Sequence, residues 1–429
     1  MPDKSKESSL DELSPLKAPD PAPQGSSTHL YDAVTEKSQK DGGISEDDSA
    51  LEKLIPHKED VPHSDISLSH RILNFALAYF WLGPLVTVYW CNSWHIPENY
   101  LFPPDPVASS WISGAVGYSI YFLATFLQDN LRDFTVRQNI VVQCFVAQVY
   151  SYVMCWACIN QWRCVWVLLD EYTGIYLLNA VVSCLLASMI MVILRVHRTT
   201  ASTPSTIRMD FPVENHFTIP TLFEVSTGQY AKAADALFTV LVVDTVGIIL
   251  WRGLWEIMDV TLTPDQKGES GAWSLVISYS VAVILFLTHD CVKILSIYLE
   301  DKHWAVSLVF EDFITVLNTI VSVNHWRGYW VLMDAYLPYK PASHWLCHIT
   351  SFVLLALGMT ATSIPVLGCV FDNRLKRGEG IVFDNFYFTH LQTLWATWKS
   401  KRQIAPSTEE TDAAAAFPVA KTTESETPY

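Results

Sequence analysis

Eight apolar blocks constrain this chain more than any other feature, at about 71–90, 109–128, 140–161, 174–194, 234–251, 272–289, 304–324 and 345–370. Each is about as long as the roughly 20 residues a helix needs to cross a bilayer. The blocks predict an all-α membrane protein with eight transmembrane helices. Half of the residues are hydrophobic and 17% are charged, and the net charge of -16 sits mostly in the tails. That acidic balance argues against nucleic acid as a partner, which needs a basic footprint.

The flanks read differently. Residues 1–66 are rich in Ser, Pro, Asp, Glu and Lys, with acidic runs such as Ser45-Glu46-Asp47-Asp48, and predict a disordered tail. They contain no apolar stretch of signal-peptide type, so the first span is expected to direct insertion. Residues 67–380 form the expected transmembrane domain, 403–429 a second disordered tail. Between them, 381–402 carry Tyr387, Leu391, Leu394, Trp395 and Trp398 at helical spacing, then Lys399, Lys401 and Arg402. That pattern fits either an amphipathic helix on the membrane lipids or a packed cytoplasmic helix. Pro204, Pro212 and Pro220 mark the stretch between the fourth and fifth blocks as an irregular cytoplasmic loop.

Basic residues set the orientation. Arg71, Arg132, Arg137, Arg195, Arg198, Arg208, Lys232, Lys293, Lys302, Arg374, Lys376 and Arg377 border one side; Arg163, Arg252, Lys267, Arg327 and Lys340 border the other. The positive-inside rule places the first group, and both termini, in the cytoplasm.

A repeated motif marks the outer ends of the odd-numbered spans. Trp162-Arg163-Cys164-Val165-Trp166 leads to Asp170, Trp251-Arg252-Gly253-Leu254-Trp255 to Asp259, and Trp326-Arg327-Gly328-Tyr329-Trp330 to Asp334. A worn copy keeps Trp90, Trp94 and Glu98 but has Cys91 in place of the arginine. The spacing predicts four tandem two-helix repeats inserted the same way round, packed with pseudo-fourfold symmetry or as two paired halves. On a helix, motif positions 0, 1, 4 and 8 share one face. Arg and Asp of one copy lie about 10 Å apart along the axis, so each arginine is expected to meet the acid of the next unit. An interfacial Trp belt with snorkelling Arg is the plainer alternative. A belt alone does not require Arg and Asp at fixed offsets, and a structural clamp is favoured over a solute site.

Asp244 is the strongest candidate for a buried intramembrane carboxylate, with Ser278, Tyr279 and Ser280 at comparable depth. Asp235, Glu311 and Asp312 near the inner ends are expected to be wet or paired with Lys232 and Lys293, and Asn74 sits at the offset of Asp235. The nine cysteines are scattered, and Cys155 and Cys158 read as packed thiols inside an apolar helix. Cys91 and Cys164, in adjacent motif positions, are candidates for a disulfide. No cofactor or metal cluster and no nucleophile–base pair is visible, so an enzyme is not expected.

With its eight spans and WRGxW…D copies, the chain over residues 66–400 resembles the fuseless family of invertebrate multi-pass membrane proteins. The resemblance implies a non-enzymatic role in presynaptic membrane organisation, including placement of calcium channels at active zones and hence synaptic transmission. Partners would be calcium channels or active-zone scaffold proteins. The terminal Thr427-Pro428-Tyr429 offers a PDZ-type tail, with chance the stronger explanation. A small-solute transporter or channel with Asp244 in its path is the alternative.

Overall fold

The structure is a computed structural model that describes residues 67–399 apart from 338–339, 367, 373–377, 379–380, 382–385 and 397–398. Both expected tails, with the terminal Thr427-Pro428-Tyr429, and Arg374, Lys376, Arg377 and Trp398 lie outside the described residues. Within them the chain is helical, with no strand. Six helices are long and apolar enough to cross a membrane: α1 Leu68–Tyr100, α2 Pro106–Val136, α3 Ile140–Thr173, α5 Gln229–Thr261, α6 Lys267–Lys302 and α7 Trp304–Tyr336. Two shorter apolar helices, α4 Leu177–Ile193 and α8 Pro341–Leu357, have 17 residues each, about 26 Å of helix. The expected eighth block ran to residue 370; the helix instead stops at Leu357.

Local chemistry sets the helix starts. Ser67, Asp105 and Asn139 each accept a hydrogen bond from a first-turn amide, and Pro106 follows Asp105 at the position where a missing N–H costs least. The outside of the bundle is apolar, with Leu178, Leu185, Leu287, Leu346 and Leu357 each 65% or more exposed. So extensive an apolar exterior would associate in water and suits lipid. The interior, by contrast, holds many buried Ser, Thr, Asn and His side chains.

α1 and α5 are built alike. Each has ten α-helical residues, a five-residue π turn and eighteen more α-helical residues. A widened turn disturbs the helical ladder, and a carbonyl in each turn is taken by a side chain from another helix. The Tyr279 hydroxyl donates to Tyr79 O at 3.0 Å, and Gln161 Nε2 donates to Val240 O at 3.2 Å. α1, α3, α5 and α7 touch in cyclic order, and the other helices pack against them in the pairs α2/α3, α4/α5, α6/α7 and α8/α1. Each even helix thus packs chiefly on the odd helix that follows it, not on the one before it.

The short helices end in matching ways. Arg195 after α4 and Met359 after α8 adopt left-handed backbone, with φ of 57° and 56°. The chain then makes a 3-10 turn, His197–Thr200 or Ala361–Ser363, and runs irregularly through the bundle. Residues 196–205 are all buried. The proline-marked stretch is therefore irregular as expected, but its first part is core rather than a surface loop. Non-helical backbone at such a place is tolerated only where protein satisfies its polar groups.

Two aspartates do so reciprocally. Asp372 accepts from His197 N at 3.0 Å and Arg198 N at 2.8 Å, and its own N–H donates to Arg195 O at 3.0 Å. Asp210 accepts from Ala361 N at 3.2 Å and Thr362 N at 2.8 Å, and its N–H donates to Met359 O at 2.9 Å. Each segment carries the acid that caps the other. Asp235 plays a related part: it is buried and accepts from Phe223 N, Val225 N and the Thr221 hydroxyl. It is neither wet nor paired with lysine, as the sequence had led one to expect. Its counterpart Asn74 accepts from Phe388 N at 2.7 Å, tying the helical residues 387–396 to α1. Within that stretch Tyr387 is buried, while Leu394 and Trp395 are exposed. At the same end Arg195 pairs with Asp312 at 3.2 Å, and Glu311 accepts from Ser296 at 3.5 Å.

Asp372→Ala should leave two buried amides without an acceptor, a loss of about 2–4 kcal/mol, whereas Asp372→Asn keeps one acceptor and should lose roughly half of that. Thermal unfolding of the detergent-purified protein measures both; equal midpoints for Asp372→Ala and wild type would show that the amides find other partners.

Candidate functional site

The motif residues converge on the bundle axis. Trp90, Trp162, Trp251 and Trp326, one from each of α1, α3, α5 and α7, form a closed ring of four. Neighbouring centroids lie 5.3, 5.5, 5.3 and 5.1 Å apart, every pair edge-to-face. One helical turn on, Trp94, Trp166, Trp255 and Trp330 close a second ring, with centroid separations of 5.6 to 6.1 Å. Edge-to-face pairs contribute about 0.5–1.5 kcal/mol each beyond area burial. The two layers fill the axis with indole.

The first ring is bonded to the irregular segments beneath it. The indole N–H groups of Trp90, Trp251 and Trp326 donate to Ile364 O (2.8 Å), Thr200 O (2.8 Å) and Thr203 O (2.6 Å). These are main-chain carbonyls that the non-helical backbone would otherwise leave exposed to a low-polarity interior. The tryptophans therefore both close the axis and complete the backbone hydrogen bonding of the segments capped by Asp210 and Asp372.

Outside the rings lies the set of charged joints. Arg252 is 1% exposed; its Nε donates to Asp170 at 2.7 Å and its Nη2 lies against Glu256. Arg327 pairs with Asp259 at 2.7 Å and donates to the hydroxyls of Ser270 and Ser274. Arginine therefore meets the acid of the preceding unit, the reverse of the expected direction. Arg163 donates to Ser113 at 2.9 Å and has Glu98 within electrostatic reach. At the closing joint Cys91 stands where the arginine would be, and His95 reaches Asp334 at 3.2 Å and Glu98 at 2.7 Å. Cys91 and Cys164 are both free, so the candidate bridge is not formed. Cys91 turns toward Asp334 at 3.9 Å, while Cys164 packs on Gly114 of α2.

The residue after the motif arginine is small because another helix lies on it. A Cβ on Gly253 would fall 2.9 Å from Ala180 O, and one on Gly328 would fall 3.0 Å from Gly271 O. Close backbone approach lets α4 lie on α5 and α6 on α7. Between the charged joints, a cleft of about 330 Å³ is lined by Trp255, Asp259, Lys267, Arg327, Trp330 and Asp334.

Asp244 is buried at the end of the α5 π turn, facing Gln161 and Tyr121. Tyr121 in turn accepts from Gly368 N, and Gln161 holds Val240 O. Ser278 and Tyr279, expected at comparable depth, donate instead to Val321 O and Tyr79 O, and Ser280 is exposed. Asp244 and those residues are thus not one site. Cys155 and Cys158 are fully buried. Sequence reasoning missed Asp210, His95 and Glu256, and it gave Asp372 no partner. His95 and Glu256 each fall one residue after the second motif tryptophan, the only positional signal they carry.

A chain whose described residues are helical, with six bilayer-length apolar helices among them, an apolar outside and many buried polar side chains, belongs to the class of multi-pass membrane proteins. The chain belongs to the Fuseless family, whose family model matches residues 69–365. That match runs from the first turn of α1 through the second capped segment. No curated protein and no solved structure matches the chain.

Arg252→Ala leaves the buried Glu256 and the part-buried Asp170 without their cation, and should cost about 3–5 kcal/mol. Adding Glu256→Gln should recover part of the loss. Thermal unfolding and surface expression report the effect; a fully stable Arg252→Ala protein would remove the clamp from the account.

Proposed function

We propose that the chain is a non-enzymatic membrane organiser built from four two-helix repeats that cross the bilayer eight times, with both ends in the cytoplasm. α4 and α8 supply the fourth and eighth crossings. The outer ends of the odd helices carry the Trp-Arg motifs, and the basic residues cluster at the other end. By family, its role is organisation of the presynaptic membrane, with calcium channels or active-zone scaffold proteins as partners and the presynaptic plasma membrane as location.

The observation that carries an organiser over a conduit is the double tryptophan ring. A permeation path along the axis would have to pass two layers of edge-to-face indoles, three of which, in the first layer, are bound through their N–H groups to main-chain carbonyls. Asp244 faces Gln161 and Tyr121 from the side of this core. Its neighbours Gln161 and Tyr121 are bonded to the π turn at Val240 O and to the second irregular segment at Gly368 N, which supports a packing role for Asp244 over an axial route. The competing reading is a small-solute transporter or channel that uses Asp244.

An epitope inserted beside Lys267 should stain on intact cells while epitopes on either tail stain only after permeabilisation; tail staining on intact cells would overturn the topology. In an animal lacking the gene, Asp244→Asn at normal expression should restore most synaptic transmission, because the amide keeps its volume and hydrogen bonding. Failure to rescue by a correctly localised protein would favour the transporter reading.

A further inference from the structure

Three of the four joints around the ring place an arginine from one repeat near an acid of the repeat before it, with Arg252 and Arg327 in direct ion pairs. The fourth joint, where α7 meets α1, has no arginine in this position. There Cys91 and His95 of α1 face Asp334 of α7. We propose that Cys91, His95 and Asp334 bind a divalent transition-metal ion, zinc above all, which closes the ring in place of the missing arginine.

The donor set comes first. Thiolate, imidazole and carboxylate are each ligands that zinc takes, at about 2.3 Å for sulfur and 2.0–2.2 Å for nitrogen and oxygen, and zinc sites with three protein ligands keep an open fourth position. Tetrahedral bonds of those lengths put ligand atoms roughly 3.3–3.6 Å apart. Here His95 Nε2 is 3.2 Å from Asp334 Oδ1, and Cys91 Sγ is 3.9 Å from the same oxygen. All three donor atoms lie within 4.8 Å of one another. The two distances to Asp334 are within a few tenths of an ångström of those values, and side-chain rotation can draw the three donors onto one ion.

The second part is the support around the ligands. The other ring nitrogen of His95 is bonded to Glu98 Oε2 at 2.7 Å, the carboxylate–histidine arrangement that fixes the tautomer of a metal-bound imidazole. Cys91 and His95 lie one turn apart on a single helix and are buried, so their spacing is held by backbone. Asp334 has a side chain 34% exposed, which gives an ion a way in and room for a water as fourth ligand.

Charge makes the third part. An arginine–aspartate joint is neutral, and so is a dication held by one thiolate, one carboxylate and a neutral imidazole. The metal therefore does the electrostatic work that arginine does at the other joints. Borderline-soft zinc suits a thiolate, whereas calcium and magnesium prefer all-oxygen sites.

The test uses the full chain purified in detergent without a histidine tag. After loading with Zn2+ and gel filtration, wild type should retain about one zinc per chain by elemental analysis. Cys91→Ser and His95→Gln should lose it, and Glu98→Gln should weaken it about 10–100-fold. Co2+ loaded in place of zinc should give a thiolate charge-transfer band that Cys91→Ser abolishes. Cys91→Arg restores the motif arginine; it should fold with a melting temperature no lower than that of zinc-free wild type and take up no metal, which separates loss of the site from loss of the fold. Zinc should raise the melting temperature of wild type but not that of Cys91→Arg, and Mg2+ should raise neither. Folded wild type that retains no zinc, or zinc bound equally by Cys91→Arg, would overturn the proposal.

Discussion

Buried main chain without helical hydrogen bonds is the constraint on which the rest of this structure depends. In a lipid-facing bundle, each unmet backbone group costs several kcal/mol. The stretches after α4 and α8 meet that demand with two carboxylates exchanged between them and with indole N–H groups from above. Because Asp210 belongs to the first stretch and caps the second, while Asp372 does the converse, neither can settle without the other. The bundle in this sense encloses two irregular segments beside its apolar centre.

The tryptophan rings follow from the same demand. Trp90, Trp251 and Trp326 reach the carbonyls of these segments, which fixes the rotation of their helices. With that rotation set, motif positions one and eight fall at the helix boundaries, where Arg252 meets Asp170 and Arg327 meets Asp259. Such partly buried pairs add little net stability over an apolar contact. Their value lies in register, since a helix turned by one residue would leave a guanidinium against hydrocarbon. A core locked at both levels suits a platform that presents constant surfaces to neighbours in the membrane.

Much of the helical layout was legible in the sequence because the bilayer imposes a length and the motif a phase. The three arginine copies announced a shared face, and the rings are that face seen end on. What could not be read was the fate of segments that break the pattern. Apolar residues after Leu357 looked like more helix, yet Met359 takes positive φ and Pro365 follows, so the chain leaves the helix and packs as irregular core. Asp210 lies in a proline-marked stretch that resembles ordinary loop, Asp372 follows an apolar run that resembles helix, and their role depends on partners about 150 and 175 residues away. Likewise the worn first copy of the motif hid His95, because nothing local says that Asp334 lies opposite. Helical phase is a short-range property; a cap that one segment supplies to another is not.

Backbone amide hydrogen exchange on the full-length protein in lipid nanodiscs tests the central claim most directly. If the irregular segments are locked core, the amides of His197, Arg198, Ala361 and Thr362 will exchange as slowly as those in the middle of α3 and α7, despite lying outside any α-helix. Exchange of those four amides at the rate of the exposed turns, with α3 and α7 still protected, would contradict the account.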